Sequence, residues 1–290
     1  MNRFTTTLAL SLLLSAATRL EVHAAEAKPE AREVHTARGV VREIAADRRK
    51  AVIRHEAITN YMAAMTMPFK VKTTNEFANL KAGDTIAFRL QVTATESWVD
   101  GITRTGAAAA EQKPPAIPAP KKISNHPLRN FPFTNELGQA VRLNDFCGQA
   151  LAITFIFTRC PLPEFCPRLS KNFSEAAHKL RSLTNAPTNW HFLSVTFDPE
   201  FDSPAMLKAY GEGYQYDAAH WSFLTGPTNE IRELARQSGV QMADEGGTIN
   251  HNFRTLIIDA AGHLQMTFPT SGDLSDAIVS EMLKAAAATN

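Results

Sequence analysis

The fold of the larger part of this chain is decided by residues 150–167, which read ALAITFIFTRCPLPEFCP. The apolar run at 150–157 is typical of a buried central strand, and the prolines that follow cannot continue a strand ladder. We therefore expect a strand that delivers Cys160 and Cys166 into a surface loop. Two neighbouring thiols can form a disulfide, hold a soft metal as thiolates, or alternate between these states. The residues of this stretch leave the three alternatives open.

The composition is that of an ordinary globular protein with enough apolar residues for a sizeable core. Of its 290 residues, 44% are hydrophobic and 20% are charged, which suggests one or two domains. The formal net charge is +1, so the chain lacks the basic field that attracts nucleic acids or anionic membrane surfaces. No phosphate-binding loop, nucleotide fingerprint or hydrolase elbow occurs in the sequence.

The chain begins with the features of a secretory signal peptide, predicted at residues 1–24. A cationic start at residues 1–3 precedes an apolar run around residues 8–17 that is too short to span a bilayer. Small residues favour cleavage after Ala24, and no cysteine is present there to accept a lipid. We expect an exported, soluble protein without stable membrane insertion after signal removal, whose cysteines meet an oxidising compartment.

An alanine- and proline-rich segment at 107–122 predicts an extended, semi-rigid linker. It separates a first region, residues 25–106, from a second region, residues 123–290. The first region contains five short strand-like runs and no convincing helix. A piece this small must close on itself to hide its strand edges, so we predict a small all-β, five-stranded, OB-like barrel. The predicted strands are 39–44, 51–55, 65–71, 84–92 and 97–103.

The second region alternates strands with amphipathic helices, which predicts an α/β domain with a central sheet covered by helices. Its cysteine loop falls at the carboxyl end of a strand, where ligand and redox sites are favoured. The predicted elements are strand 150–157, helix 169–183, strand 191–197, helix 204–214, helix 231–238, a hairpin of 255–259 with 264–268, and helix 273–287.

Three of the eight methionines, Met62, Met65 and Met67, lie within six positions and follow His55 closely. Met65 and Met67 are two apart on a predicted strand, so their side chains emerge on one face. Thioethers beside an imidazole form a soft donor set suited to Cu(I) or Ag(I). Methionines that alternate with polar residues are also typical of a half-buried strand that fills a core. The spacing alone leaves both interpretations open.

The segment from His55 to Phe69, which includes YMAAMTMPF at 61–69, resembles periplasmic CusF-like copper-binding proteins. The resemblance implies a small barrel that binds Cu(I) through His55, Met65 and Met67. Met62 stands where that family has a tryptophan covering the metal. It is therefore expected to be either a third thioether ligand or a hydrophobic cover.

The second region is similar to the Sco/SenC family from about residue 130 to the end. The resemblance implies a thioredoxin-like fold that binds copper through Cys160, Cys166 and His251. Five residues separate the two cysteines, which is longer than the usual spacing of the family and leaves metal affinity and disulfide strain open. The motifs that carry the resemblance are TRCP at 158–161, CP at 166–167, FDPE at 197–200, DSP at 202–204 and HNFRTLIID at 251–259.

Asp198 and Cys147 complete the candidate residues of the second region. Asp198 resembles an acidic residue near the site of the family, where it would orient a ligand or tune the pKa of a thiol; a turn with Pro199 is the alternative. Cys147 matches no ligand of the family and is predicted to be a small buried apolar residue.

These features predict a periplasmic metallochaperone whose barrel acquires Cu(I) and whose tethered second domain receives it or passes it to a client, with Cu(II) binding left open. The resemblance implies a client copper protein, either a cytochrome oxidase subunit or a copper efflux component. A second hypothesis is a thiol–disulfide oxidoreductase, in which Cys160 or Cys166 attacks and the other resolves the mixed disulfide. A third makes the barrel a client-docking module with core methionines.

Overall fold

Two seven-stranded sheets and four α-helices organise the described part of the chain. The computed structural model describes residues 31–107, 131–240, 242–244, 249–251, 254–269 and 272–288. The predicted signal peptide lies outside the described residues, as does all of the predicted linker after residue 107.

Five consecutive strands form the first domain and confirm the five that the sequence predicts. They are β1 (Glu33–Ile44), β2 (Lys50–His55), β3 (Met65–Lys70), β4 (Asp84–Val92) and β5 (Ser97–Ala107). Antiparallel pairing gives the order β3-β2-β1-β4-β5. β3 and β5, the outer two of these five strands, also approach each other, as they do when a sheet curls toward a barrel.

Gly39 permits β1 to lie close to the end of β2. In the ladder it stands directly opposite His55. A Cβ atom at position 39 would lie 2.6 Å from the carbonyl oxygen of Arg54 and 3.0 Å from the Cα of His55. A side chain at position 39 would therefore push β1 away from His55, one of the predicted metal donors.

The second domain contains the remaining elements, most of which agree with the sequence prediction to within a few residues. In chain order they are β6 (Pro132–Asn135), β7 (Ala140–Arg142), β8 (Ala150–Ile156), α1 (Cys166–Ser182), β9 (Trp190–Thr196), α2 (Pro204–Glu212), β10 (Trp221–Thr225), α3 (Thr228–Gln237), β11 (Met242–Asp244), β12 (Ile249–His251), β13 (Arg254–Ile258), β14 (Leu264–Pro269) and α4 (Ser275–Ala287).

The second sheet has a thioredoxin-like arrangement in the order β14-β13-β8-β9-β10-β6-β7. β8 and β9 run parallel with α1 between them, while β13 is antiparallel to both β8 and β14. Every residue of β8 and β9 is buried, as expected for central strands covered on both faces. The cysteine loop, residues 157–165, therefore follows the central strand β8, as the sequence predicts.

The structure differs from the sequence prediction in several elements. β6, β7, β10, β11 and β12 were not predicted, because they are short and lack a clear alternation of apolar and polar residues. Helix α1 begins at Cys166, three residues before the predicted start, since Pro167 is compatible with the first helical turn. No helix in the described residues combines the length and the apolar character that a bilayer crossing requires.

β11 and β12 follow α3 in the chain, but they pair with the first sheet and not with the second. They pair antiparallel with each other, and β12 pairs parallel with β3, placing Ile249 opposite Met65 and Asn250 opposite Thr66. The described residues from 31 onward form one compact unit. The backbone of the strand that ends in His251 lies beside the methionine strand of the barrel.

Candidate functional site

Strands β2 and β3 bring His55, Met65 and Met67 to neighbouring positions. His55 stands directly opposite Met65 in the antiparallel ladder, and Ile53 stands opposite Met67. Residues opposite each other project from the same face of a sheet, so the imidazole and both thioethers share one face. All three are buried, with His55 1% exposed, Met65 7% and Met67 5%.

Met62 lies in the turn that precedes β3. Its backbone forms a bridge with Ile58, which closes this turn. The side chain is buried in the same apolar cluster as Met65 and Met67. A buried thioether is compatible with a third ligand and with a hydrophobic cover, so the packing of Met62 favours neither role.

His55 has one ring nitrogen with a hydrogen-bond partner and one without. Nδ1 donates to the carbonyl oxygen of Glu56 at 2.7 Å, which leaves the lone pair on Nε2. Nε2 is buried and has no partner among the described residues. Desolvation by burial lowers the pKa of His55, although the hydrogen bond to Glu56 opposes it, so the imidazole is neutral at neutral pH.

The donor set of the barrel fits a soft cation. A neutral imidazole with a free lone pair is what metal ligation requires, and thioethers bind Cu(I) without losing a proton. Within the described residues, no group of three or more His, Cys, Asp and Glu side chains converges on one point. In the strand ladder, Met65 lies directly opposite His55, and Met67 lies two residues further along the same face.

The cysteine loop and the start of α1 hold two free thiols with different environments. Cys160 is half-buried, whereas Cys166 is fully buried as the first residue of α1. Burial opposes ionisation of Cys160, but hydrogen bonds from the side chain and backbone of Cys166 outweigh it and lower the pKa of Cys160. Burial, together with the hydrogen bond and charge of Cys160, raises the pKa of Cys166. Cys160 is thus the more acidic thiol of the pair and Cys166 the less acidic one.

Asp202 fixes the beginning of the cysteine loop. It is fully buried, and its carboxylate accepts hydrogen bonds from the Thr158 backbone at 3.1 Å, the Thr158 hydroxyl at 2.5 Å and the Thr196 hydroxyl at 2.5 Å. Burial raises the pKa of Asp202, while the bonds from both threonines oppose that rise. The sequence includes this residue in the DSP motif at 202–204, but a motif does not indicate that the carboxylate is buried.

None of the hydrogen bonds described joins Asp198 or Cys147 to the thiol of Cys160 or Cys166. Asp198 accepts from Arg159 at 2.8 Å, so it acts on the neighbour of Cys160. The prediction that Cys147 is buried is wrong, because its thiol is exposed. Cys147 follows the short 3₁₀ turn in which Phe146 fills the core instead.

His251 is the last residue of β12, and its side chain lies outside the described part of the structure. Its backbone pairs with Met242 of β11. The preceding residues Ile249 and Asn250 pair with β3. β12, which ends in the predicted ligand His251, therefore lies beside the strand that carries Met65 and Met67. Sequence reasoning missed this pairing, as it missed the anchoring role of Asp202 and the contacts of Tyr61 and Glu164 described below.

Both domains match known families. Residues 121–287 match the family model described as SCO1/SenC, and residues 34–104 match that of the copper binding periplasmic protein CusF. The chain is 31% identical over 115 residues to a SCO1 protein homolog of Bacillus subtilis (strain 168), covering 39% of this chain and 57% of that protein. It is 26% identical over 167 residues to a mitochondrial SCO1 homolog of Homo sapiens, covering 54% of each.

Among solved structures, the chain is similar to that of Bradyrhizobium japonicum ScoI with copper bound. It is 24% identical, with a TM-score of 0.44, and the match covers 53% of this chain and 96% of that one. The chain spans little more than half the length of the two curated relatives that it matches.

We expect Asp202→Ala to destabilise the protein far more than Asp198→Ala. The first change leaves the buried Thr158 amide without an acceptor and should lower the free energy of unfolding by about 1–3 kcal/mol. The second removes only a surface ion pair and should cost less than about 1 kcal/mol. Urea unfolding followed by far-UV circular dichroism measures both values. Equal losses would mean that Asp202 does not anchor the cysteine loop.

Proposed function

Because the chain belongs to the SCO1/SenC family, we propose that it is a periplasmic copper carrier whose barrel and second domain each bind the metal. The barrel takes up Cu(I) through His55, Met65 and Met67, and the second domain binds copper through Cys160, Cys166 and His251. Copper is the cargo in this scheme, and the two sites exchange it within one chain. Export through the predicted signal peptide accounts for the periplasmic location.

The observation that carries this proposal is the unpartnered Nε2 atom of His55. A buried polar atom without a hydrogen bond costs about 1–3 kcal/mol, so proteins seldom keep one without a use. Here the atom belongs to a neutral imidazole on the same sheet face as two buried thioethers. A soft cation would satisfy the lone pair; the match to the CusF model supports copper as that cation, and the preference of thioethers for soft ions favours Cu(I).

The cysteines supply a second site with different chemistry. Each thiol must lose its proton before it can bind a metal as a thiolate, and Cys160 loses its proton more readily than Cys166. Metal uptake at this site therefore releases protons and weakens as the pH falls. Oxidation to a disulfide removes both thiolates, but it leaves the thioethers of the barrel unchanged. The two sites thus respond differently to the redox state of the compartment.

The client that receives the copper is proposed to be another copper protein. The Sco-like domain favours the copper centre of a respiratory cytochrome oxidase, and the CusF-like barrel favours a component of copper efflux. We place the oxidase first, because the SCO1/SenC match covers the larger part of the chain.

Replacing both barrel thioethers tests the barrel site. In a Cys160→Ser, Cys166→Ser background, Met65→Leu with Met67→Leu should weaken Cu(I) binding by more than about tenfold. The fold should survive, since leucine and methionine have similar volumes and such exchanges usually cost less than about 1.5 kcal/mol. A competition titration with a chromogenic Cu(I) chelator measures the affinity.

Met206→Leu is the matched control for that pair, because Met206 is 42% exposed on α2. It should leave Cu(I) affinity unchanged. A well-folded double variant that keeps its affinity would make the methionines core residues and favour a barrel that only docks clients.

A second candidate function is thiol–disulfide exchange, which the asymmetry of the two thiols favours. The Cys160 thiolate would attack a client disulfide, forming a mixed disulfide and releasing one client thiolate. Cys166, after losing its proton, would then attack Cys160, leaving a Cys160–Cys166 disulfide and a reduced client. Two electrons pass from the protein to the client, and no metal takes part.

His251 separates the two functions, because copper binding uses it as a ligand and dithiol exchange does not. In the Met65→Leu, Met67→Leu background, His251→Ala should weaken copper binding by more than about tenfold and change the exchange rate much less. His263→Ala, in an exposed turn, is the control. Affinity and the rate of reduction of a model disulfide are measured on the same samples. A parallel loss of both would count against the carrier.

A further inference from the structure

The cysteine loop is held against the barrel by polar contacts from two of its residues. The Oε1 atom of Glu164 accepts hydrogen bonds from Ser97 through its backbone at 3.1 Å and its hydroxyl at 2.5 Å. The same oxygen lies 3.8 Å from the Nζ atom of Lys70. Pro161 contributes the other contact, because its carbonyl oxygen accepts from the Tyr61 hydroxyl at 3.3 Å.

These barrel contacts flank the methionine strand. Lys70 is the last residue of β3, and Ser97 is the first residue of β5. Tyr61 lies in the turn before β3, where its ring stacks on His35 at a centroid distance of 3.8 Å. The cysteine loop therefore rests on the part of the barrel that carries Met65 and Met67.

The contact excludes water from polar atoms on both sides. Ser97 is 4% exposed, and the Oε2 atom of Glu164 is buried without a hydrogen-bond partner among the described residues. The positive charge of Lys70 faces Glu96 as well as Glu164, so the carboxylate of the loop extends an ion-pair network that belongs to the barrel. A loose contact between the loop and the barrel would leave the Glu164 carboxylate exposed to water.

We propose that residues 161–164 are an interaction surface whose partner is the barrel of the same chain, and that the docked barrel controls access to Cys160. Glu164 is the central residue of this surface, because it joins the loop to two barrel strands. β12 adds a backbone contact on the same side, where it pairs with β3. The docked state is that of the metal-free protein, and it does not depend on whether the chain carries copper.

The same surface defines the kind of client that can replace the barrel. Such a client must offer hydrogen-bond donors and a cation to Glu164, as Ser97 and Lys70 do here. It must also displace the barrel before it reaches Cys160. Docking and client binding are therefore mutually exclusive at this loop.

The rate at which N-ethylmaleimide alkylates Cys160 tests the proposal in the full mature chain, reduced and free of metal. Ser97→Ala removes the hydroxyl donor from the barrel side and introduces no charge near the thiol. We expect it to raise the Cys160 rate about fivefold, the effect of one hydrogen bond on the docked population. Peptide mass spectrometry resolves the three cysteines, and the exposed Cys147 should react at an unchanged rate.

Amide hydrogen exchange at residue 97 gives the second measurement. Glu164→Ala should accelerate it, because the carboxylate accepts that amide, and Glu164→Gln should have a smaller effect. Glu200→Ala, at an exposed carboxylate of the same domain, is the matched control and should change neither quantity. An unchanged Cys160 rate in Ser97→Ala, or unchanged exchange at residue 97 in a folded Glu164→Ala variant, would overturn the proposal.

Discussion

The register between β2 and β3 is the constraint on which the candidate site of the barrel depends. It places His55 opposite Met65, and a slip of one residue would turn the methionines to the other face of the sheet. Gly39 lets β1 come close to His55, and Phe69 packs edge-on against the imidazole at a centroid distance of 5.6 Å. These contacts hold the ring so that Nδ1 meets the carbonyl oxygen of Glu56 and Nε2 stays free.

In the second domain, a strand end, a buried carboxylate and a helix start position the two thiols. A central strand ends at the cysteine loop, the buried carboxylate of Asp202 anchors that loop through Thr158, and α1 begins at Cys166. This arrangement gives the two thiols different acidities, which suits metal uptake and disulfide exchange alike. Because the loop also contacts the barrel through Glu164, the loop between the two cysteines and the barrel that carries the methionines belong to one continuous structure.

Local sequence patterns were sufficient for much of the fold. Alternation and turn residues predicted the five barrel strands, and the apolar run of β8 placed the cysteine loop correctly. β10, the stretch Trp221–Thr225, was missed because a short run buried throughout has no periodicity to reveal it. The pairing of β12 with β3 joins segments far apart in the chain, and no local pattern encodes such a contact.

Among the candidate residues too, local motifs identified some features, whereas burial and exposure could not be predicted from them. His55, Met65, Met67 and the two cysteines were identified from motifs, and their ligand roles remain predictions. Asp202 carries the buried hydrogen bonds, whereas the sequence had drawn attention to Asp198, because burial cannot be read from a motif. The exposure of Cys147 depends on which side of one short turn faces the core, and Phe146 takes that side.

An anaerobic Cu(I) titration of the mature protein against a chromogenic chelator tests the central claim most directly. It is performed once with Cys160 and Cys166 reduced and once with them joined as a disulfide. The account predicts two tight sites in the reduced protein and one in the oxidised protein, because oxidation removes the thiolates and spares the thioethers. An equal number of tight sites in both states would contradict it, since copper would then not use the cysteines.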